Sequence, residues 1–250
     1  MLDAVLSVLT SAAAMAAPCP PIPGTASLLT DRKVQWIVVG EQHGTMETPQ
    51  AFGDLACLAA RTGRPLTIAL ELPDSEQAAL DAYLASDGGA EARAAWLAQP
   101  MWKDGPRDGR SSVAMLGLIE RLLTMRREGQ VTAVVAMQPM APTPTPESYE
   151  KAMAAHVEHA LGSSAGKPGA LVLTLVGNVH ARRAPVTFGA QRYMPMAGWL
   201  PGKATVTLDA SGNGGAQWSC FADTHTPPLH PPAKPAILAH RTSAIRAAWS

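Results

Sequence analysis

The frame Gly-x-x-His occurs twice in this chain, at residues 40–43 and 177–180, each time directly after an apolar, strand-like run. A third apolar run, between these two, ends on Glu71. Continuous apolar runs are typical of strands that are buried on both faces, as in a parallel sheet. The carboxyl ends of parallel strands share one edge, and ligands bind in the crevice outside that edge. We therefore expect His43 and His180 to meet there with at least two carboxylates.

Helical patterns separate the apolar runs, and this alternation predicts an α/β fold with a mostly parallel β-sheet covered by helices. Residues 203–210 and 216–222 flank a Gly-rich turn and are expected to form an antiparallel hairpin that extends one sheet edge. The other predicted elements are strands at about 34–39, 66–70, 131–136 and 170–176, and helices at about 47–62, 75–85, 90–98, 111–128 and 147–161.

The first residues resemble a secretory signal peptide. Residues 1–16 are mostly apolar and small, and they end on the small-x-small pattern Ala14-Met15-Ala16. The n-region is atypical because Asp3 is its only charged side chain. We predict a periplasmic or secreted protein, with a cytoplasmic location as the alternative. The segment is too short and too Ala-rich for a stable membrane span.

The rest of the chain is expected to hold one domain. A Pro-rich lead at 17–33 precedes a single α/β domain at 34–222, and a Pro-rich C-terminal tail occupies 223–250. The chain has 250 residues, which is enough to bury a sizeable core.

The three cysteines are Cys19, Cys57 and Cys220, and none is at a Cys-x-x-Cys spacing. In an oxidising compartment two of them can pair and leave one free, and the sequence does not decide which. A buried Cys57 acting as a small hydrophobic residue is the alternative interpretation for that position.

The charge balance indicates the kind of partner. Twenty basic and twenty acidic residues give a formal net charge of zero, and no run of Lys or Arg occurs. Without a basic footprint, nucleic acid is not expected as a partner. We expect a small-molecule or peptide substrate instead.

Several polar residues around these strand ends are candidates for chemistry. Glu41 and His43 are two positions apart, so in an extended loop both project the same way, as a proton-transfer pair would. Glu71 is expensive to bury alone as an ion, so its position predicts a metal, a histidine or an arginine beside it. Arg182 can pair with Glu71 or bind a substrate carboxylate or phosphate.

Three further residues are candidates for binding substrate. Asn178 can donate to a developing oxyanion or close a local turn. Glu47 either joins the site or favours the N-terminus of its helix. Arg110, with Asp108, either reaches over the crevice and binds substrate or lies in a solvated loop.

These blocks resemble a known superfamily. Gly40-Glu41-Gln42-His43-Gly44, then Glu71, then the segment 177–182 are similar to the superfamily that groups ChaN-like haem-uptake proteins, erythromycin esterases and Tiki/TraB proteins. The resemblance implies a sheet with its site at the strand carboxyl ends, where Glu41, His43, Glu71 and His180 would react or bind metal, with Arg182 nearby.

The chain also departs from that superfamily. We expect no second domain of the kind that would enclose a macrolide. The tyrosine that ligates haem in the ChaN branch has no placeable counterpart among Tyr83, Tyr149 and Tyr193.

The leading hypothesis is an exported hydrolase that acts on an ester or peptide bond. In one version His43, Glu71 and His180 hold a divalent metal, Zn or Mn, and Glu41 is the general base on a bound water. In a metal-free version, suggested by the esterase branch, His43 is the base and Glu71 orients it.

A binding protein for haem or another tetrapyrrole is the alternative hypothesis. It would use the same crevice without catalysis, with His43 or His180 as an axial ligand and an apolar wall from Met194, Met196 and Trp199. An envelope protein with a decayed site is a third interpretation.

Overall fold

The computed structural model describes residues 18–105, 108–162 and 169–210, and its central element is a five-stranded parallel sheet. The strands are β1 (Trp36–Glu41), β2 (Leu66–Pro73), β3 (Ala133–Gln138), β4 (Leu171–Gly177), β5 (Val186–Phe188), β6 (Gln191–Tyr193) and β7 (Thr205–Ala210). The helices are α1 (Thr25–Thr30), α2 (Glu47–Ala60), α3 (Gln77–Ala85), α4 (Ala90–Leu97), α5 (Pro100–Lys103), α6 (Val113–Arg127), α7 (Pro146–Gly162) and α8 (Met196–Trp199), with a 3-10 turn at Asp74–Glu76.

The strand order in the sheet is β3-β2-β4-β1-β7, and every pairing is parallel. From β1 to β3 the chain moves toward one edge, and it then returns to insert β4 between β2 and β1. Because parallel crossovers are right-handed, this reversal places the connecting helices on opposite faces. Ile37 and Val39 belong to the core under α2, α3 and α6, whereas Trp36 and Val38 belong to the core under α7 and α8.

The α/β prediction is confirmed, and the observed strands lie within a few residues of the predicted ones. Residues 205–210 form the edge strand beside β1, and the predicted hairpin partner at 216–222 lies outside the described residues. The hairpin that the structure does describe is formed by β5 and β6, which pair with each other in a separate two-stranded sheet. The predicted signal peptide and the Pro-rich tail also lie outside the described residues.

Arg64 ties together the amino-terminal end of the sheet. Its side chain is buried and lies just before β2. The guanidinium donates to five backbone carbonyls, those of Leu29, Asp31, Val34, Gly169 and Ala170. Buried carbonyls require donors, so this one side chain, from the segment that enters β2, satisfies carbonyls of the segments that enter β1 and β4.

A disulfide joins Cys19 to Cys57, with 5.7 Å between their Cα atoms. It fixes the Pro-rich lead to helix α2 and selects one of the pairings that the sequence left open. No helix in the described part of the chain combines the length and the apolarity needed to cross a bilayer.

Candidate functional site

Three adjacent strands deliver the polar residues of the site to the same sheet edge. Glu41 ends β1, Glu71 lies near the end of β2, and Gly177 ends β4, which separates the other two strands. The backbone N–H of Gly177 donates to Oε2 of Glu71 over 2.7 Å. A Cβ at Gly177 would lie 3.0 Å from Nε2 of His43, so the glycine leaves room for the imidazole.

The first histidine lies between two carboxylates. Nδ1 of His43 is 2.9 Å from Oε1 of Glu41, and its Nε2 is 3.4 Å from Oε2 of Glu71. Burial disfavours the charged ring, but the hydrogen bonds and charges of the two carboxylates outweigh it and raise the pKa of His43 to about 10. His43 is therefore an imidazolium at neutral pH.

The two carboxylates that flank His43 have pKa values shifted in opposite directions. Burial would raise the pKa of Glu71, but the bond from His43 and the charges of His43, His180 and Arg110 lower it to about 2. Burial raises the pKa of Glu41 above its usual range despite its bond to His43. Oε2 of Glu41 is buried and has no hydrogen-bond partner in the described part of the chain. Glu71 is thus the firmly ionised member of the pair.

The second histidine is held by a residue that sequence reasoning missed. Glu150, buried on α7, lies 2.7 Å and 2.9 Å through its two oxygens from Nδ1 of His180. The same carboxylate accepts the backbone N–H of Met196 over 2.7 Å. Because Glu150 acts as an acceptor toward Met196, we assign the proton of this pair to Nδ1 of His180. This leaves Nε2, which is 3.8 Å from Oε1 of Glu71.

The arginine of the site comes from the loop before α6. Arg110 donates through Nη1 to Oε1 of Glu71 over 3.1 Å and to Oε1 of Gln138 over 2.8 Å. Its Nε and Nη2 donate to Asp108, which fixes the guanidinium plane. Of the two interpretations of Arg110, the structure therefore favours the one that places it at the crevice.

Two glycines allow the arginine loop to approach the first histidine loop. Gly44 has φ 82° and Gly109 has φ 105°, a region that L side chains rarely adopt. A Cβ on Gly109 would overlap the backbone of Gly44. The two loops are thus in direct backbone contact, one residue away from His43 and from Arg110.

Tyr149 also reaches the cluster. Its ring centroid is 6.1 Å from that of His180. Burial and the negative charge of Glu71 raise the pKa of Tyr149 to about 12, although a hydrogen bond to Gln138 and the charge of Arg110 oppose this. The hydroxyl therefore keeps its proton and remains a donor at neutral pH.

The structure does not bring every predicted residue to the cluster. Arg182 and Asn178 are exposed, and both line a neighbouring cavity. Glu47 begins α2, and we find no hydrogen bond or ion pair between it and the cluster within the described residues. The cluster thus contains Glu41, His43, Glu71 and His180, as the sequence predicted, together with Arg110.

A signal for Glu150 exists in the sequence. It lies three, four and seven positions before Met153, Ala154 and Val157, which form the buried stripe of α7. A carboxylate at an apolar helix position needs a buried partner. That rule points to the helix face, but it does not identify His180 as the partner.

The predicted metal ligands converge without forming a ligand set. Both ring nitrogens of His43 face carboxylates, and Glu71 already accepts from Arg110 and from Gly177. Across 18–105, 108–162 and 169–210, no group of three or more His, Cys, Asp or Glu side chains is arranged to hold a metal ion. In this arrangement the residues do not fit a divalent ion, and metal binding stays a prediction.

The residues of the suggested haem wall have other contacts. Met196 is fully buried in the core under α7 and α8. The indole N–H of Trp199 donates to the backbone oxygen of Met194, and the Lys151 ammonium lies 4.1 Å from the centroid of the Trp199 ring. Haem binding also stays a prediction.

Comparison with known proteins finds likenesses among solved structures but shows no family. No protein-family profile matches the chain, and no curated protein sequence matches it. Among solved structures, it is similar to the type III effector HopBA1, at 16% identity and a TM-score of 0.45 over 80% of this chain and 90% of the effector. It is also similar to an erythromycin esterase mutant in its open conformation, at 10% identity and a TM-score of 0.49 over 74% of this chain and 71% of the esterase.

The C-terminal region of Pasteurella multocida toxin, described as having a thiol-protease-like catalytic triad, is a further match, at 10% identity and a TM-score of 0.44 over 75% of this chain. The chain spans only 24% of that toxin chain. At these identities and TM-scores the likenesses carry no argument about function. An erythromycin esterase is one branch of the superfamily that the motifs resemble, and membership of that superfamily stays a prediction.

Proposed function

We propose that this protein is a hydrolase that cleaves an ester or peptide bond with two histidines as its acid–base pair. One observation carries the proposal. Each imidazole is held at Nδ1 by a buried carboxylate, His43 by Glu41 and His180 by Glu150, and each directs Nε2 toward Glu71. Imidazoles that are oriented in this way transfer protons to and from a reacting group between them.

The surroundings of the two histidines assign one of them as the general acid and the other as the general base. His43 is held as an imidazolium by two carboxylates, which favours it as the proton donor rather than the base. Burial lowers the pKa of His180, but the hydrogen bond to Glu150 and the charges of Glu71 and Glu150 raise it overall. Because Nε2 of His180 is beyond hydrogen-bond distance of Glu71, we assign this ring as the base for a water molecule on its placement.

The proposed reaction is a direct hydrolysis by water. His180 takes a proton from water while the water oxygen bonds to the carbonyl carbon, and the carbonyl oxygen becomes an oxyanion. The guanidinium of Arg110 and the protonated hydroxyl of Tyr149 are the hydrogen-bond donors of the cluster that would stabilise this oxyanion. As the bond to the leaving group breaks, His43 gives its proton to the leaving group. Proton exchange with solvent then returns both imidazoles to their starting protonation states.

We also propose that the protein works in an oxidising compartment. The atypical signal-like segment at 1–16 and the Cys19–Cys57 disulfide support this together, because structural disulfides persist outside the cytosol. The expected locations are the periplasm or the medium.

Variant kinetics with simple esters and peptides test the hydrolase proposal. We expect wild type to hydrolyse 4-nitrophenyl acetate or a chromogenic peptide, and His43→Gln and His180→Gln each to lose at least ~100-fold in kcat/KM. Arg192→Gln, an exposed change on β6, is the matched control. Full activity in both histidine variants would contradict the proposal.

A haem titration on the same samples distinguishes the alternative hypothesis, tetrapyrrole binding, from hydrolysis. If wild type turns over none of these substrates but shifts the haem Soret band, and both histidine variants lose the shift, tetrapyrrole binding replaces hydrolysis as the proposed function.

A further inference from the structure

A cavity of about 520 Å³ lies beside the cluster, at the carboxyl ends of β1, β4 and β7. Neither histidine of the cluster lines it, and neither do Glu41, Glu71 or Glu150. Its principal lining residues are Gly40, Asn178, Arg182, Arg183, Thr207 and Asp209.

Two pairs of consecutive residues lie between the cavity and the cluster, one at the end of β1 and one at the end of β4. Gly40 faces the cavity, and the next residue, Glu41, belongs to the cluster. Gly177 faces His43, and the next residue, Asn178, lines the cavity. Successive strand residues point to opposite faces of the sheet and are only ~3.3 Å apart, so the cavity and the cluster lie close together across the strand ends.

The turn after β4 lies close to β1 at this point because the residues in contact are small. A Cβ at Gly40 would lie 2.8 Å from the Cβ of Ala181 and 3.1 Å from the Cα of Asn178. The turn after β4 therefore packs directly on β1 because position 40 has no side chain.

The charged groups of the cavity are not equivalent. Arg183 uses its guanidinium to bind the carbonyl oxygens of Gly202 and Thr205. Arg182 is exposed, and although its backbone N–H donates to the carbonyl of Val179, its guanidinium makes no hydrogen bond or ion pair with any residue in the described ranges. Among the described residues, Asp209, exposed on β7, is the single acidic side chain that lines the cavity. One guanidinium is thus available to a ligand in a cavity with two arginines and one aspartate.

We propose that this cavity binds an anionic oxygen group of the substrate, a carboxylate or a phosphate, and that Arg182 recognises it. The anion lies on the part of the substrate away from the bond that is cleaved. This inference rests on the proposed hydrolase function for its meaning, but the binding itself does not depend on turnover. A guanidinium forms two parallel hydrogen bonds with either kind of group.

Isothermal titration of the full chain with glutarate, and separately with inorganic phosphate, tests the binding directly. We expect wild type to bind at least one of them, and Arg182→Gln to weaken that binding about tenfold, as the loss of a bidentate charge-assisted pair predicts. Asp209→Asn removes the opposing charge and should strengthen binding about two- to fivefold. Arg192→Gln, outside the cavity, should bind as wild type does.

A matched pair of esters links the cavity to turnover. The 4-nitrophenyl monoester of glutarate carries the anion, and 4-nitrophenyl pentanoate is its neutral analogue of similar length. We expect Arg182→Gln to raise KM about tenfold for the anionic ester alone and to leave the neutral ester unchanged.

The outcomes separate the two proposals. Anion binding that depends on Arg182, without hydrolysis of any ester, would support the cavity and overturn the hydrolase. Hydrolysis of both esters with equal efficiency in wild type and in Arg182→Gln would overturn the anion site and keep the hydrolase. Failure of wild type to bind either anion, or an equal loss in Arg192→Gln, would also overturn the anion site.

Discussion

The carboxylate of Glu150 lies 2.7 Å from Nδ1 of His180, although Glu150 is on a helix and His180 follows a strand of the sheet. The other pair, Glu41 and His43, is formed by residues two positions apart, where β1 ends and the following loop begins. Two imidazoles are therefore held in the same way by two unrelated routes, one local and one that needs α7 to pack on the sheet. Similar geometry from different routes indicates that orientation of the rings is what the site requires.

Glu150 is expected to position His180 rather than to touch substrate. Glu150→Gln keeps the shape but removes the charge that raises the pKa of His180. We expect kcat to fall about 10- to 100-fold. The low-pH limb of the pH–rate profile, which reports the pKa of the base His180, should move to lower pH, because His180 then loses its proton more easily.

A pH–rate profile of wild type, Glu150→Gln and Glu158→Gln measures both effects. Glu158 is exposed on the same helix and serves as the control. A lower rate with an unmoved profile would assign Glu150 a structural role only.

The ion pair of His43 and Glu71 is expected to give a stability maximum in mildly acidic solution. Glu71 stabilises the fold above its ordinary pKa of 4.5, and this is lost as the pH falls toward about 2. His43 stabilises it below its ordinary pKa of 6.5, and this is lost as the pH rises toward about 10. The contribution of the pair is therefore complete between those two ordinary values.

Urea unfolding of wild type and His43→Gln across this range measures the contribution of the pair. The difference in the free energy of unfolding should be largest, about 3 kcal/mol or more, near pH 5.5 and should shrink toward pH 10. A difference that does not change with pH would show that His43 is not charged in the folded protein.

Arg64 is expected to matter for stability and not for chemistry, because its contacts are at the opposite end of the sheet from the cluster. Arg64→Met leaves five carbonyls without this donor and should lower the free energy of unfolding by about 3–5 kcal/mol. Arg61→Met, an exposed change close by, should cost little. Chemical unfolding gives the energies, and kcat of the folded fraction should equal that of wild type.

The disulfide is expected to stabilise the fold through the loop that it closes. Cys19 and Cys57 are separated by 38 positions, for which loop closure predicts a contribution of about 3–4 kcal/mol. Dithiothreitol should therefore lower the Tm of wild type and of Cys220→Ser, and leave that of Cys57→Ser unchanged. A response in Cys57→Ser would indicate a different pairing.

Chelation tests the metal prediction against the ion-paired arrangement. Because Arg110 and Gly177 already donate to Glu71, we expect EDTA treatment to leave kcat/KM within about twofold of its starting value. Loss of activity that Zn²⁺ or Mn²⁺ restores, with bound metal that disappears in His43→Ala, would favour the metal version of the hydrolase.

The sequence predicted the part of the site that depends on strand ends. Apolar runs identify buried strands, and the shared edge of a parallel sheet brings Glu41, His43, Glu71 and His180 together whatever lies between them. Glu150 was missed because helix periodicity identifies a buried face but not which strand end that face meets. Arg182 was expected at the cluster, but the turn after β4 directs it into the neighbouring cavity, and spacing along a chain does not fix the direction of a turn.

The contact between Gly44 and Gly109 offers a way to sort related chains. A chain with any side chain at the position of Gly109 must hold the two loops apart, and the arginine next to it then moves away from the strand-end carboxylate. Chains that have both glycines and the following arginine can assemble this cluster. Chains that have the Gly-x-x-His frames but a larger residue at the position of Gly109 would have to supply the positive charge from elsewhere. This makes the glycine pair a more selective search pattern than the histidine frames alone.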